Sequence, residues 1–390
     1  MTGTVYLKPA REARVLSGHP WIFSSDIDRA QRGVTPGDVV RVQAARGRFL
    51  GHAAYNPNSQ ITLRMLNYDE GKIDSAFIKK RVREAIGYRR QVADTDCCRL
   101  IFAESDGLPA VIADTFAGVI SLQILSLGMA RFEKDIVEAL VEELAPRGVW
   151  ERNDVPIREL EGMMQSTGLL WGDVPDEVEI SENGLKMMVN VKQGQKTGHF
   201  LDQKENRAAI APFCPGAMVL DICTHTGGFA LHAAMYGASE VIGVDLSEHA
   251  LAGARNNAKR NGFTNANFVQ ANAFDFLRAQ SDAGNRYDLI ILDPPAFAKN
   301  KPSLPGAAKG YKEINLRALK MLQPGGILVT CSCSQAMLPE RFRQVILEAA
   351  YDAGKALQQV EWRGQGRDHP VLVAAPETHY LKCGIFRVLR

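Results

Sequence analysis

The sequence predicts an α/β protein: a seven-stranded, Rossmann-like, doubly wound sheet in its C-terminal half, preceded by a small β-barrel and a central α+β domain. Three observations point there. From residue 195 onward, short apolar runs alternate with amphipathic helical stretches, the pattern of βαβ units in a parallel sheet. The first of these runs contains Val219-Leu220-Asp221-Ile222 and passes through Cys223-Thr224-His225-Thr226-Gly227-Gly228 into a helix, so a buried strand ends in a glycine turn. Residues 1–68 instead hold short strand-like runs broken by Pro36-Gly37 and Asn56-Pro57-Asn58. The expected boundaries are 1–70 for the barrel, 71–193 for the central domain and 194–390 for the Rossmann-like domain.

A length of 390 residues calls for two or three domains. The net charge of +2 excludes a global basic field. Residues 1–68, however, carry nine Lys/Arg against four Asp/Glu, a net of +5, which points this segment towards an anionic partner. Seven cysteines without framework spacing fit a reducing compartment. The first nine residues are not an apolar leader, and no run approaches the roughly 20 apolar residues that span a bilayer. A soluble cytoplasmic protein without membrane contact is expected.

In the barrel, strands are expected at 5–7, 21–23, 38–42, 49–53 and 61–65. Arg11 and Arg14 are candidates for phosphate contacts, against the plainer alternative of a solvated basic face. Residues 74–92 read as a basic amphipathic helix. Strands at 111–113 and 119–124 and a helix at 131–144 follow, then a hairpin of 178–181 and 186–191 turned by Asn183-Gly184. The Rossmann-like strands are expected at 217–222, 240–245, 266–270, 287–292 and 326–331, with two more at 357–362 and 381–389. Helices are expected at 229–235, 248–261 and 311–322.

Ligands of such sheets gather beyond the carboxyl ends of the strands. The turn at 223–228 has neither the dinucleotide GxGxxG nor the GK[ST] of a P-loop. It resembles the first motif of S-adenosylmethionine-dependent methyltransferases, which makes Asp221, Thr224, Thr226, Gly227 and Gly228 cofactor-binding candidates; a tight structural turn is the alternative. Asp245 ends the second strand 18 residues after Gly227. It can accept both ribose hydroxyls, or cap the helix that follows. Asn272 and Ala273 end the third strand, where a polar side chain can read an adenine edge and Phe274 can stack or simply pack. The fourth strand stops at Asp293-Pro294-Pro295, because two prolines block its continuation and hold Asp293 at the lip of the sheet. This resembles the Asp/Asn-Pro-Pro motif with which base-modifying methyltransferases contact the target base. Lys299 and Lys309 make the following loop basic enough to touch phosphate. The fifth strand runs into Cys331-Ser332-Cys333-Ser334. Two cysteines offer too few ligands for zinc, and no metal is expected. Cys331 on the strand reads as a buried inert thiol, whereas Cys333 lies past the strand end.

Taken together, Gly194-Gln195-Lys196-Thr197-Gly198-His199-Phe200-Leu201-Asp202-Gln203, Thr226-Gly227-Gly228-Phe229, Asp293-Pro294-Pro295, Gly310-Tyr311-Lys312, Ser332-Cys333-Ser334 and Asp368-His369-Pro370 resemble, end to end, the ribosomal large-subunit RNA methyltransferase I family. Those are cytosine carbon-5 methyltransferases with a PUA-like barrel, a small central domain and a Rossmann-like catalytic domain. The resemblance implies S-adenosylmethionine as cofactor, with Phe200 added to its contacts, and large-subunit ribosomal RNA as partner. It also implies Cys333 as nucleophile and Asp293 as a contact shared by cofactor and base. A homodimer is compatible with it. Two departures stand out: Thr224-His225 where the family commonly has Ser-Tyr, and the second thiol of Cys331.

The implied chemistry is sound. Carbon 5 of cytosine is a weak nucleophile until a thiolate adds at carbon 6, after which it can take a methyl group and lose its proton. Rival readings are a ribosomal RNA nitrogen methyltransferase acting on guanine or an exocyclic amine, which needs no thiol, and a non-catalytic RNA-binding ribosome-assembly factor. A small-molecule methyltransferase would leave the basic barrel without a purpose.

Overall fold

The computed structural model describes residues 3–298, 300 and 302–390. They fall into two compact units. The first comprises residues up to Ile180 together with Val189–Leu201 and Arg367–Thr378; the second comprises Ser181–Met188, Asp202–Gly366 and His379–Arg390.

The first unit contains two sheets. A six-stranded one is built from Thr4–Leu7, Trp21–Ile22, Ile27–Ala30, Val39–Gln43, Phe49–Tyr55 and Leu63–Asn67. Its core is Val5, Leu7, Val40, Val42, Leu50, Leu63 and Met65. Five of these strands lie where alternation predicts them. Ile27–Ala30 does not show in the pattern, because this edge strand buries none of its residues fully and has no apolar face to reveal it.

The second sheet has five strands, Cys97–Phe102, Val111–Phe116, Val119–Ile124, Gly148–Arg152 and Thr167–Gly172. Helices Ser75–Val92 and Glu133–Leu144 cover it with Ile78, Val82, Ile86, Ile136 and Leu140. The first of them begins where the Asp74 carboxylate accepts the Phe77 amide at 3.0 Å. The second starts at Glu133 rather than 131, because Leu127–Ala130 forms a separate short turn of helix. Strands Cys97–Phe102, Gly148–Arg152 and Thr167–Gly172 were not expected. The edge strand Thr167–Gly172 buries none of its residues fully, so it carries no inward-facing apolar stripe.

A buried polar network ties two distant sequence motifs to this sheet. Arg99 and Asp114 face each other across paired strands, and the guanidinium grips the carboxylate at 2.5 and 3.0 Å. The Thr197 hydroxyl donates to the same carboxylate at 2.5 Å, and the Arg99 amide donates to Asp368 at 2.9 Å. Arg89, fully buried, donates to the Asp368 carbonyl and the Asp106 carboxylate. The segments around Thr197 and Asp368 thus satisfy charges of the central sheet.

The second unit is a seven-stranded sheet of β1 (Met218–Ile222), β2 (Glu240–Asp245), β3 (Ala266–Gln270), β4 (Tyr287–Leu292), β5 (Leu322–Ser332), β6 (Leu357–Arg363) and β7 (Lys382–Val388). Its order is β3-β2-β1-β4-β5-β7-β6, with β7 alone antiparallel to its neighbours. Leu220, Ile222, Ile290 and Leu292 enter one core, and Val219, Leu289 and Ile291 the other, so helices on both faces account for the near-continuous apolar strands. All seven strands lie where they were expected. β5 starts early, since its pairing jumps from Leu322 to Ile327 and residues 323–326 bulge out. The helix expected from 311 begins at Leu304, because Pro305 falls in its first turn, where the missing amide costs nothing. The chain leaves β1 in one direction and returns to β4 on its other side. The crevice between the carboxyl ends of β1 and β4 is therefore the topological switch point.

Replacing Asp114 with Ala strands the Arg99 charge in the interior. Loss of one partner of a buried pair costs about 3–5 kcal/mol. The Asp114→Ala protein is expected to unfold at a clearly lower temperature by calorimetry. An unchanged transition would show that the network contributes nothing to the fold.

Candidate cofactor and catalytic site

The glycine turn at the end of β1 is shaped by one carboxylate. Asp221 is fully buried, and its Oδ2 accepts the Thr224 hydroxyl at 2.5 Å and the Ala230 amide at 2.9 Å. Its Oδ1 has no hydrogen-bond partner among the described residues. Burial, with the nearby charge of Asp293 adding to it, pushes this carboxyl up to about 7. The backbone around the turn is left-handed at Cys223, His225 and Gly227, with φ of 64, 52 and 87°. At Gly228 the constraint is space: a Cβ there would stand 2.7 Å from Arg207 Nε. Arg207 is buried under the turn and bonded to Glu182 at 2.7 Å. His232, on the helix Gly228–Met235, takes a defined tautomer in which Nδ1 donates to the Gly228 carbonyl and Nε2 accepts from Asn183.

Asp245 ends β2 and does not cap the next helix, because Ser247 does so by accepting the Ala250 amide. Asp245 receives the His225 amide on one oxygen and the Ser247 amide on the other, both at 2.9 Å. Each oxygen keeps a second lone pair, so the carboxylate is held in place yet still able to accept hydroxyls. Asn272 is a helix cap: its carbonyl oxygen accepts the Phe274 and Asp275 amides ahead of Ala273. The Phe274 ring packs with Phe297 at a centroid distance of 5.8 Å, and Phe297 in turn packs on Tyr311 at 4.7 Å. Thr226 closes the turn with its carbonyl bonded to Asn257.

Asp293 begins the loop after β4, and its amide donates to the Ile222 carbonyl at 3.2 Å, joining the ends of β4 and β1. Its carboxylate accepts from Gln203 at 2.9 Å. Gln203 is oriented by Asn206, and Asn206 by Arg363. This relay escaped the sequence reading, because nothing in the spacing of residues 203, 206 and 363 announces it.

The two thiols near the end of β5 differ sharply. Cys331 is fully buried, paired across the sheet with Cys383, and its titration is pushed well up, first by the hydrogen bond to Cys383 and then by burial. Cys333 is only half-buried and lies just past the strand. The turn carrying it is fixed by its two serines. The Ser332 hydroxyl donates to the Tyr311 hydroxyl at 3.0 Å, Tyr311 bonds to Ser334 Oγ at 3.0 Å, and Ser334 Oγ accepts the Ala298 amide at 3.1 Å. Tyr311 therefore joins the Asp-Pro-Pro loop to the cysteine turn. The neighbouring Gly310 leaves room for Phe297, whose ring would lie 3.2 Å from an added Cβ.

The remaining candidates are scattered. Phe200 belongs to the first unit, where the Lys196 ammonium lies 4.5 Å from its ring centroid. Arg11 is 60% exposed beside Asp26, and Arg14 is ion-paired with Glu377 at 3.0 Å and lies over Phe23. Lys309 is exposed on the helix Leu304–Met321. Lys299 lies outside the described residues. No cluster of His, Cys, Asp or Glu able to hold a metal is found among the described residues, and no helix is long and apolar enough to cross a membrane.

The donor set at the switch point fits S-adenosylmethionine. It combines an unpartnered buried carboxylate oxygen beside a glycine turn with a second carboxylate one strand away. Comparison with known proteins agrees. Residues 5–68 match a PUA-like domain, and residues 163–383 match the S-adenosylmethionine-dependent methyltransferase family. The fold is shared with a methyltransferase crystallised in complex with SAH, at a TM-score of 0.86 and 22% identity over both full chains. A methyltransferase from Streptococcus mutans superposes at a TM-score of 0.84 and 21% identity, also over both full chains. Proteins named ribosomal RNA large subunit methyltransferase I match far more closely in sequence. The one from Shewanella frigidimarina is 43% identical over 98% of this chain and 99% of its own. The one from Vibrio vulnificus is 41% identical over the whole of both chains, and that from Aeromonas salmonicida 40% identical over 98% of each. This chain is a member of the ribosomal RNA large subunit methyltransferase I family, built on the S-adenosylmethionine-dependent methyltransferase fold.

Proposed function

We propose that this protein methylates carbon 5 of a cytosine in large-subunit ribosomal RNA, with Cys333 as the attacking thiol. The relatives' names supply the substrate class. The observation that carries the mechanism is the half-buried Cys333 at the carboxyl end of β5, one strand from Asp293, while its neighbour Cys331 is buried and kept protonated. In this reading residues 1–70 hold RNA through exposed cations such as Arg11, residues 71–193 form the central domain, and residues 194–390 do the chemistry with Lys309 near the RNA. Arg14 spends much of its charge on Glu377 and contributes less.

The Cys333 thiolate forms a bond to carbon 6 of cytosine and displaces ring electron density onto carbon 5. Asp293, oriented by Gln203, holds the edge of the base. Bound S-adenosylmethionine supplies an electrophilic methyl group at its sulfonium centre. Once carbon 5 carries the methyl group, its proton passes to solvent water, the C–H electrons restore the ring double bond, and the bond from carbon 6 to the Cys333 sulfur breaks, returning the thiolate. Asp221 Oδ1 would take the cofactor's ammonium group, Asp245 its ribose hydroxyls, and Asn272 with Ala273 its adenine edge. The base must leave any stack, at a cost of a few kcal/mol, so a single-stranded or unfolded RNA segment is the preferred target.

Unmodified large-subunit RNA and labelled S-adenosylmethionine test this directly, with the product nucleoside identified by mass spectrometry. Wild type is expected to give 5-methylcytidine. Cys333→Ala is expected to fall to background, a loss on the order of 10⁴-fold or more for removal of a covalent nucleophile. A nitrogen-methylated nucleoside, or a fully active Cys333→Ala, would refute the thiol mechanism. RNA binding without turnover would favour an assembly factor.

Asp221 makes cofactor binding pH-dependent. With its carboxyl raised to about 7 by burial, it is ionised above that pH and increasingly neutral below it. A cation at Oδ1 binds the ionised form, so affinity for S-adenosylhomocysteine should fall about tenfold per pH unit below that point. Calorimetric titration at several pH values checks this, and Asp221→Asn should bind weakly with a flat profile. A flat profile in wild type would mean that Asp221 does not hold the cofactor's charge.

A further inference from the structure

Lys382 is a buried cation that the chemistry above leaves unused. It begins β7 directly across from Ser332 on β5 and is 1% exposed. Its Nζ donates to the Ser334 and Tyr380 carbonyls, both at 2.7 Å. No carboxylate among the described residues pairs with it, although isolated buried ammonium groups are costly and are normally paired. The two carbonyls satisfy two of its three N–H donors without neutralising its charge. Ser334 follows Cys333 immediately, so the lysine grips the turn that bears the thiol.

We propose that Lys382 is a positioning residue for Cys333: its ammonium pins the Ser334 carbonyl, and with it the cysteine turn, and provides the positive charge beside which the thiolate forms. This rests on the reading of Cys333 as the attacking thiol. Burial lowers Lys382 to about 8, and the charge of Cys333 acts to raise it. The ammonium and the thiolate thus support one another. Other ionisable groups surround them. Tyr311 lies on the helix side; burial raises it first and the Cys333 charge adds to this, so it stays a neutral phenol. Cys331 and Cys383, on β5 and β7, are buried. His379 is lowered by burial and by the Lys382 charge, so it does not supply a competing cation. Tyr380 donates its hydroxyl to Asp202. Asp293, which follows β4, acts on the neighbouring Cys331, where its charge adds to the upward push.

An unperturbed thiol, near pKa 8.5, is only a few per cent thiolate at neutral pH. Lys382 accordingly turns a weak nucleophile into a usable one over a window. The lower edge is the depressed thiol titration. The upper edge is the loss of the ammonium proton at about 8.

The test measures the rate of Cys333 alkylation by iodoacetamide against pH in the full-length protein, read by peptide mass spectrometry, alongside methyl transfer to RNA. Wild type should show a Cys333 midpoint below about 8.5, the ordinary thiol value. Lys382→Met should move the midpoint up by a unit or more and slow alkylation at neutral pH about tenfold. Lys382→Arg, which keeps the charge, should restore most of it. A purely structural lysine would leave the midpoint unmoved, and that result overturns the proposal. If Lys382→Met does not fold, a wild-type midpoint at or above the ordinary value overturns it alone. Cys333→Ala separates the two ideas: an active Cys333→Ala enzyme sinks the thiol mechanism, while the alkylation profile reports on Lys382 either way.

Discussion

The Asp221 carboxylate has no exposed surface, yet it organises the end of β1. By accepting the Thr224 hydroxyl and the Ala230 amide it bends the chain through left-handed residues at Cys223, His225 and Gly227. Non-glycine residues held in such conformations cost on the order of 1–3 kcal/mol each, and they persist only where surrounding bonds over-determine them. Here those bonds are supplied by the Val244 carbonyl to Thr224, by Asp245 to the His225 amide and by Asp221 itself. The same carboxylate keeps one oxygen unsatisfied. A buried polar atom without a partner is destabilising by itself and makes sense as part of a ligand site.

The β5 side of the crevice depends on a second set of buried polar groups. Tyr311 joins Ser332 and Ser334, Ser334 holds the Ala298 amide beyond the two prolines, and Lys382 holds the Ser334 carbonyl. Helix, proline loop, β5 and β7 meet at one hydroxyl network, so the position of Cys333 follows from several elements at once. The Asp293 amide completes the connection by bonding the Ile222 carbonyl, which sets the distance between the Asp-Pro-Pro loop and the glycine turn.

Much of this was legible in the chain. Alternation of apolar runs placed all seven strands of the catalytic sheet, because parallel strands covered on both faces are continuously apolar and their ends are marked by Gly, Pro or Asp. The same signals located the glycine turn, Asp245, Asp293 and Cys333, each at a strand's carboxyl end. The edge strands Ile27–Ala30 and Thr167–Gly172 were not legible, since neither buries a full face. The residues alone make Asn272 a candidate reader of an adenine edge and Phe274 a stacking or packing group; the fold adds that Asn272 caps a helix and that Phe274 packs on Phe297.

By itself, then, the sequence determined the element types, the sheet class and the strand ends where chemistry is placed, because local periodicity and chain-breaking residues act over a few positions. What the tertiary structure alone decided is which side chains serve those ends. Arg207 under Gly228, Gln203 on Asp293, Tyr311 between two serines and Lys382 beside Cys333 are all long-range pairings. Their roles rest on burial, which raises the energy of any unmet charge or hydrogen bond, and burial is a property of the packed chain rather than of any segment.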